Sequence, residues 1–176
     1  MLTVLVLGFT LARAPQENAA PAPASPLLPV AWHGTWRGEL EIASTPAQRV
    51  PMELDIQPLD GGKRLTWRMT YGDGASKQVR AYELLPGDAP NRFVIDEKNG
   101  ILIDQRLEGS TMVSAFEVQG NLLVSREELV GDELRFEITT YAAAKPRESA
   151  VGEGDAKTTV KSYPSLGYQR AVLKRQ

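Results

Sequence analysis

Apolar and polar residues alternate with a period of two over most of the chain from Gly34 onward. In the segment 63–71, for example, Leu65, Trp67 and Met69 fall on one parity, and charged or hydroxyl-bearing residues fall on the other. Because alternate side chains of a β-strand point to opposite faces, each such segment predicts a strand with one buried and one wet face. The pattern predicts ten strands, at 35–43, 50–57, 63–71, 78–85, 91–96, 100–107, 110–118, 121–130, 133–142 and 167–175.

Short sequences rich in Gly, Asn and Asp separate the predicted strands, as at Asn99-Gly100, Gly120-Asn121 and Gly131-Asp132. These residue types accept positive φ, which tight hairpin turns require. We therefore expect consecutive strands to pair as antiparallel hairpins, without helical connections between them. The longest break, at 142–157, predicts a polar loop, and the segment 158–163 predicts a short extended piece after it.

A meander of this length has one apolar face and two open edges. Closure into a barrel buries the apolar face and pairs the two edges with each other. The fold class that we predict is therefore all-β, an antiparallel up-and-down β-barrel of about 8–10 strands. A two-sheet β-sandwich is the alternative. It requires long crossover connections, and only residues 142–166 are long enough to supply one.

The residues before the first strand have a different character. Leu2–Ala12 is an apolar run that is too short to span a bilayer and suits the core of a secretory signal, and Ala12-Arg13-Ala14 resembles a cleavage site. We expect a signal peptide at 1–14, a disordered Pro/Ala-rich linker at 15–31 and a single barrel domain at 32–176. Cleavage within 19–24, or a buried strand in place of a signal, are the alternatives. The expected location is secreted or periplasmic, with no membrane span in the mature chain.

Composition argues against several classes of function. The net charge of −2 and the scattered basic residues give no surface typical of nucleic-acid binding. The chain has no cysteine, which excludes disulfides, thiolate metal sites and a lipoprotein anchor, and its single histidine, His33, argues against His-cluster metal sites and a catalytic triad. The chain also lacks a phosphate-binding loop and a nucleophile elbow. We predict no catalytic residues, no metal and no cofactor.

Several polar residues share the parity of the apolar residues in their strands and are therefore predicted to point inward: Glu83, Gln105, Ser114, Arg126 and Glu128. A buried charge is costly unless it is paired, so the charged members would pair with one another or meet a polar group of a ligand. The alternative is a position near a wet strand end, or a bulge that reverses the parity. The residues that we expect to line a ligand pocket are Trp67, Met69, Gln105, Ser114, Phe116, Arg126, Glu128 and Phe136.

The opening of the first strand, Gly34-Thr35-Trp36, followed by a meander, resembles the calycin architecture of lipocalins, fatty-acid-binding proteins and lipocalin-like bacterial domains. The resemblance implies that Trp36 plugs one end of the barrel and that an arginine of the last strand packs over its ring. We assign that role to Arg170, ahead of Lys174 and Arg175. Gly34–Glu39 also resembles the nitrobindin-like haem barrels, which place a histidine on the iron, but the position of His33 before the first strand argues against haem.

These observations predict an exported, lipocalin-like barrel that binds a small apolar or amphipathic molecule. An alternative is a filled structural barrel that acts as a protein-interaction module of the cell envelope, through its surface, an edge strand or the loop at 142–166. A third class, a hydrolytic enzyme, would need a cluster of acids inside the barrel. A cavity distinguishes the first hypothesis from the second.

Overall fold

In the computed structural model, which describes residues 27–176, the alternating segments form long strands joined by short turns. The strands are β1 (Gly34–Ile42), β2 (Gln48–Ile56), β3 (Pro58–Leu59), β4 (Arg64–Tyr71), β5 (Gln78–Pro86), β6 (Arg92–Asp96), β7 (Leu102–Glu108), β8 (Thr111–Val118), β9 (Asn121–Val130), β10 (Glu133–Ala142), β11 (Arg147–Val151), β12 (Thr158–Ser162) and β13 (Ser165–Arg175). The helical pieces are single 3-10 turns at Val30–Trp32, Asp60–Gly62, Gly74–Ser76 and Gly154–Ala156.

The main sheet closes on itself as an antiparallel barrel of ten strands, in which β3 continues β2. Neighbours along the chain pair from β4 through to β10, and β13 then joins β10 to β1. Pairing of Met52–Asp55 in β2 with Arg68–Tyr71 in β4 closes the circle. The predicted up-and-down barrel is thus confirmed over the two-sheet sandwich, and each of the ten predicted strands is present to within about two residues at either end.

The hairpin turns explain why sequential pairing holds. Between β8 and β9, Gln119 and Gly120 both have positive φ, at 51° and 76°, which is the backbone conformation of a two-residue turn whose twist matches the flanking strands. Gly131, with φ of 63°, begins the equally short turn between β9 and β10. Such turns fix the register of each hairpin, so the alternation of side chains decides which residues enter the barrel.

The barrel interior is filled at one end and hollow at the other. The filled end, which we call the plugged end, holds side chains that are completely buried, from seven different strands: Trp36, Leu54, Leu65, Leu84, Met112, Leu134 and Leu173. Toward the other end the inner face carries polar and aromatic residues, and the side chains no longer meet across the centre. The fold thus separates a stabilising core from a cavity within one barrel.

Two segments add to the barrel. The predicted loop at 142–157 contains β11, which pairs with β12 as an exposed hairpin, and β12 coincides with the predicted extended piece. Ahead of β1, Leu28 and Trp32 are buried against the plugged end, so the packed structure begins within the segment predicted as linker. The predicted signal at 1–14 and the linker residues up to 26 lie outside the described residues. Across residues 27–176, helices of the length and apolarity needed to cross a membrane are absent.

Candidate functional site

The plugged end is built around Trp36. Its indole nitrogen donates a hydrogen bond of 3.0 Å to the carbonyl oxygen of Trp32. The guanidinium carbon of Arg175, from the last strand, lies 4.2 Å from the centre of the indole ring, a cation–π contact. Arg175 also donates hydrogen bonds to the carbonyl oxygens of His33 and Ala31, which holds the segment before β1 across the barrel end.

Gly34 makes this arrangement possible. Its φ is +132°, a value that favours glycine, and a Cβ atom there would lie 2.8 Å from a guanidinium nitrogen of Arg175. The spacing Gly34-Thr35-Trp36 therefore has a physical cause, because the glycine leaves room for the arginine that covers the tryptophan two residues later. The motif serves the closure of the barrel and is remote from the cavity.

The assignment of the plug arginine to Arg170 is wrong. Arg170 lies on the outer face of β13, where its Nε donates a hydrogen bond of 2.8 Å to Glu41 on β1. Arg175 is five positions after Arg170, an odd number, so the two belong to opposite parities of one strand. Arg175, which the sequence analysis placed behind Arg170, lies on the inward-facing parity of β13 and is paired directly with Trp36.

The two arginines give a matched comparison. Arg175→Ala removes a cation–π contact and two hydrogen bonds to backbone carbonyl oxygens, and we expect it to lower the free energy of unfolding by about 1–3 kcal/mol. Arg170→Ala removes an exposed ion pair and should change it by less than about 0.5 kcal/mol. Urea unfolding followed by circular dichroism measures both, and equal losses for the two variants would contradict this account of the plug.

The cavity occupies the hollow half of the barrel and has a volume of about 420 Å³. Apolar and aromatic side chains form most of its wall: Trp67, Met69, Tyr71, Tyr82, Ile95, Ile103, Phe116, Leu123, Phe136 and Ile138. Four of the residues that the sequence predicts as apolar lining, Trp67, Met69, Phe116 and Phe136, are among them. This volume lies within the range of small-molecule sites, which are mostly apolar and contain a few placed polar groups.

A polar cluster interrupts the apolar wall on β7, β8 and β9. Gln105, Ser114, Ser125 and Glu127 are all buried and all line the cavity. The hydroxyl oxygens of Ser114 and Ser125, which face each other across β8 and β9, share a hydrogen bond of 2.9 Å. Gln105 and Ser114 thus have the inward orientation that their parity predicts, and their role in binding stays a prediction.

Glu127 is the most unusual member of this cluster. Its side chain is 2% exposed, and its Oε2 atom has no hydrogen-bond partner. Burial raises the pKa of Glu127 to about 8, against the opposing effects of the Ser125 hydroxyl and its own backbone amide. Buried polar atoms in proteins almost always have partners, so an unpartnered carboxyl oxygen in a cavity wall marks a place where a ligand group fits.

The inward orientation predicted for Arg126 and Glu128 is wrong. Both point outward from β9, where Arg126 lies 2.9 Å from Glu128 in an ion pair and is 40% exposed. The segment carries apolar residues on both parities. Leu122, Val124 and Val130 lie on one parity, and Leu123 and Leu129 lie on the other. The prediction from apolar residues therefore took the outer face for the inner one. Pairing of β9 with β8 and β10 places the opposite parity inside. Sequence reasoning therefore missed Ser125 and Glu127.

The prediction for Glu83 fails for the same reason. Leu84, its neighbour on β5, is completely buried, and Glu83 points outward. There it forms ion pairs with Arg64 and with Lys98, the latter at 3.2 Å. The prediction took the parity of Val79 and Leu85 as the inward-facing one, but Val79 is exposed on the barrel surface.

The cavity reaches the surface at the end opposite the plug. Ile101, Leu102 and Val118 form an apolar rim there and are each about half exposed or more, with Leu102 at 65%. Pairing between β7 and β8 covers only Arg106–Glu108 and Thr111–Val113, so the two strands separate toward this rim. Gln105 and Ser114 stand at the point of separation, which gives a ligand a route into the cavity beside the polar cluster.

The site offers little for metal or triad chemistry. Within residues 27–176, clusters of three or more His, Cys, Asp or Glu side chains that could hold a metal ion are absent. In the cavity Glu127 is a single buried carboxyl, and the other lining carboxyls, Glu97 and Glu117, lie at or near the mouth and are not buried. The arrangement can bind and orient a molecule through hydrogen bonds and apolar contact.

Comparisons with known proteins agree on the fold. No family model matches the sequence, and no curated protein matches it either. Among solved structures, a protein of unknown function from the DUF3598 family of Nostoc punctiforme is similar, with 15% identity and a TM-score of 0.59 over 90% of this chain and 53% of that one. The chain thus spans about half the length of that protein.

A second solved structure with a similar fold is an S-type phycobiliprotein lyase from Guillardia theta. It has 12% identity and a TM-score of 0.52, over 83% of this chain and 89% of that one. At these identities the likeness concerns the fold alone. It supports the lipocalin-like barrel that the first strand and the meander predict.

Proposed function

We propose that the protein is a binding module that holds one small amphipathic molecule inside the barrel. The observation that carries the proposal is the cavity of about 420 Å³, whose apolar wall surrounds a buried polar cluster with an unpartnered carboxyl oxygen. The apolar body of the ligand would lie along Trp67, Phe116 and Phe136, and its polar group would meet Glu127. The phycobiliprotein lyase has a similar fold, which is compatible with this proposal.

The alternative, a barrel filled by its own side chains, predicts no cavity. Only the plugged end fits that description, because the other half encloses open space lined by polar atoms. Burying polar atoms in a structural core costs free energy unless they are partnered. The cavity therefore favours the binding module over the filled barrel.

Export is part of the proposal and rests on the sequence alone. The apolar run Leu2–Ala12 and the Pro/Ala-rich segment after it support a secreted or periplasmic location. Fractionation of the source cells, with an antibody against the barrel, tests it. A chain that keeps residues 1–14 and stays in the cytoplasm would contradict it.

Filling the cavity tests the proposed function. Ser114→Leu combined with Ser125→Leu replaces a hydrogen-bonded pair in the cavity wall by two larger apolar side chains, so that neither serine hydroxyl is left without the other. We expect the variant to fold and to bind a fluorescent naphthalene probe at least about tenfold more weakly than the wild type does, a loss of about 1.4 kcal/mol of binding free energy.

The matched control lies one residue away on the same two strands. Ala115 and Val124 are directly paired, like Ser114 and Ser125, but they face outward. Ala115→Leu combined with Val124→Leu adds side-chain bulk at the same level of the barrel without entering the cavity. Equal weakening of probe binding by the two double variants would contradict binding inside the barrel.

A further inference from the structure

The polar cluster is short of hydrogen-bond donors. The Oε1 atom of Gln105 and the Oε2 atom of Glu127 are both buried and both without a partner, and both residues line the same cavity. Each of these atoms is an acceptor when the carboxyl is ionised. A ligand group that meets these atoms while the carboxyl is ionised therefore carries N–H or O–H donors.

A positive charge is also missing. Within residues 27–176, Glu127 takes part in no salt bridge, and no cation contributes to the shift of its pKa. The arginine that lines the cavity, Arg80, has its guanidinium carbon 5.4 Å from the centre of the Tyr71 ring, in a cation–π contact of its own. An ionised carboxylate in this position is costly unless a partner of opposite charge is buried with it.

The wall supplies the remaining chemistry of a cation site. Trp67, Tyr71, Phe116 and Phe136 line the same cavity, and the faces of aromatic rings attract organic cations, most strongly when water is excluded. Aliphatic side chains such as Ile103 and Ile138 line the same cavity. The surroundings suit a ligand with an apolar body and one compact cationic head.

We propose that the ligand is an amphipathic organic cation, a protonated amine whose N–H groups donate to Glu127 and Gln105. This inference rests on the proposed function and specifies the ligand class of the same cavity. A charge-assisted hydrogen bond to a carboxylate is stronger and shorter than a neutral one, so the head group would decide the selectivity. The aromatic wall would add to the affinity through apolar contact and through a weaker attraction to the cation.

Binding should replace the proton on Glu127 by the ammonium group of the ligand. Without a ligand, the raised pKa of Glu127, at about 8, keeps its carboxyl protonated at neutral pH. An ammonium group that arrives takes the place of that proton, which passes to the solvent. The charge in the cavity is the same before and after, and binding at pH 7 should release close to one proton per ligand.

Other titratable or charged groups line the same cavity and must be separated from Glu127. They are Tyr71 on β4, Arg80 and Tyr82 on β5, Glu97 after β6 and Glu117 on β8, whereas β7 and β10 present Gln105 and apolar residues. Burial raises the pKa of Tyr71 to about 12 and also raises the pKa of Tyr82, so neither titrates near pH 7. Glu127→Gln keeps all of these groups and removes only the buried carboxyl.

The test uses the methylamine, methanol and carboxylate derivatives of naphthalene, which share one ring and differ in head group. We expect the full chain to bind the amine at least about tenfold more tightly than the alcohol, and the carboxylate most weakly. Calorimetry at pH 7 in buffers of different ionisation enthalpy should show proton release with the amine alone. Glu127→Gln should remove both the preference and the proton release while the alcohol still binds.

Glu128→Gln is the control, since Glu128 is the next residue on the same strand and faces outward. It should leave the preference for the amine unchanged. Equal binding of amine and alcohol, or a preference that survives Glu127→Gln, would overturn the ligand class and leave the binding module standing. Failure of all three probes to bind the wild type would overturn both proposals together.

Discussion

Glu127→Gln is expected to make the protein more stable at neutral and alkaline pH, by about 3 kcal/mol at pH 7. Burial raises the pKa of Glu127 from its ordinary value of 4.5 to about 8 in the folded chain. Below pH 4.5 both the folded and the unfolded chain hold the proton, so the carboxyl costs nothing. As the pH rises from there to about 8, the unfolded chain releases the proton and the folded chain retains it, so stability falls.

The measurement is urea unfolding of the wild type, Glu127→Gln and Glu128→Gln at a series of pH values from 5 to 9. The difference between wild type and Glu127→Gln isolates the buried carboxyl, because all other titrating groups are common to both chains. It should be below about 1 kcal/mol at pH 5 and grow until about pH 8, whereas Glu128→Gln should follow the wild type throughout. A difference that does not change with pH would show that Glu127 titrates normally.

A residue that destabilises its own fold at neutral pH is a sign of function. Natural cores avoid lone carboxyls because burying an unpaired charge is costly, and strongly shifted pKa values cluster at functional sites. Here the cavity wall provides the means of recovering that cost, since an amine bound to Glu127 would pair the charge. Ligand binding and stability should therefore be linked, and the amine probe should stabilise the wild type more than it stabilises Glu127→Gln.

Trp36→Ala is expected to give the largest loss of stability, about 3–5 kcal/mol, which is the range for removing a buried aromatic side chain. Trp36 is completely buried, donates to the Trp32 carbonyl oxygen and lies under Arg175. Its loss leaves a void at the plugged end, where backbone and side chains from several strands meet. For a chain of this size, such a loss lowers the melting temperature by roughly 10 °C or more.

Trp36→Phe is the conservative comparison, since it keeps an aromatic face for Arg175 and gives up the indole hydrogen bond. We expect it to cost about half as much as Trp36→Ala. Trp36→Ala combined with Arg175→Ala should cost less than the sum of the single variants, because the two side chains interact directly. A loss below about 1 kcal/mol for Trp36→Ala in thermal and urea unfolding would contradict the structural role of the plug.

Much of the fold follows from local patterns in the sequence. Alternation in segments such as 63–71 and positive-φ turn residues such as Gly120 and Gly131 predict the ten barrel strands and their order. The strand β11 and its pairing with β12 were missed, although the extended piece at 158–163 was predicted, because both strands are exposed on both faces and carry no alternating apolar signal. A pattern that depends on burial cannot reveal a strand that buries nothing.

The site was predicted less completely, because the sequence does not always show which parity of a strand faces the barrel interior. Where only one parity is apolar, as at Leu65 and Trp67, the inner face is evident, and Gln105 and Ser114 were placed on the correct face. In β9 both parities carry apolar residues, and the inner one holds Ser125 and Glu127, so the polar residues of the cavity wall themselves obscured the pattern. An apolar residue on the outer face, such as Val124, costs little free energy, so apolarity alone does not identify the inner face of such a strand.

The central claim is that one small molecule occupies the barrel, and native mass spectrometry tests it most directly. The wild type and the Ser114→Leu/Ser125→Leu variant would be incubated with a small-molecule extract of the source cells and sprayed from a volatile buffer. We expect a one-to-one adduct on the wild type that disappears on denaturation and is absent from the filled variant. A bare mass for both proteins, or the same adduct on both, would contradict it.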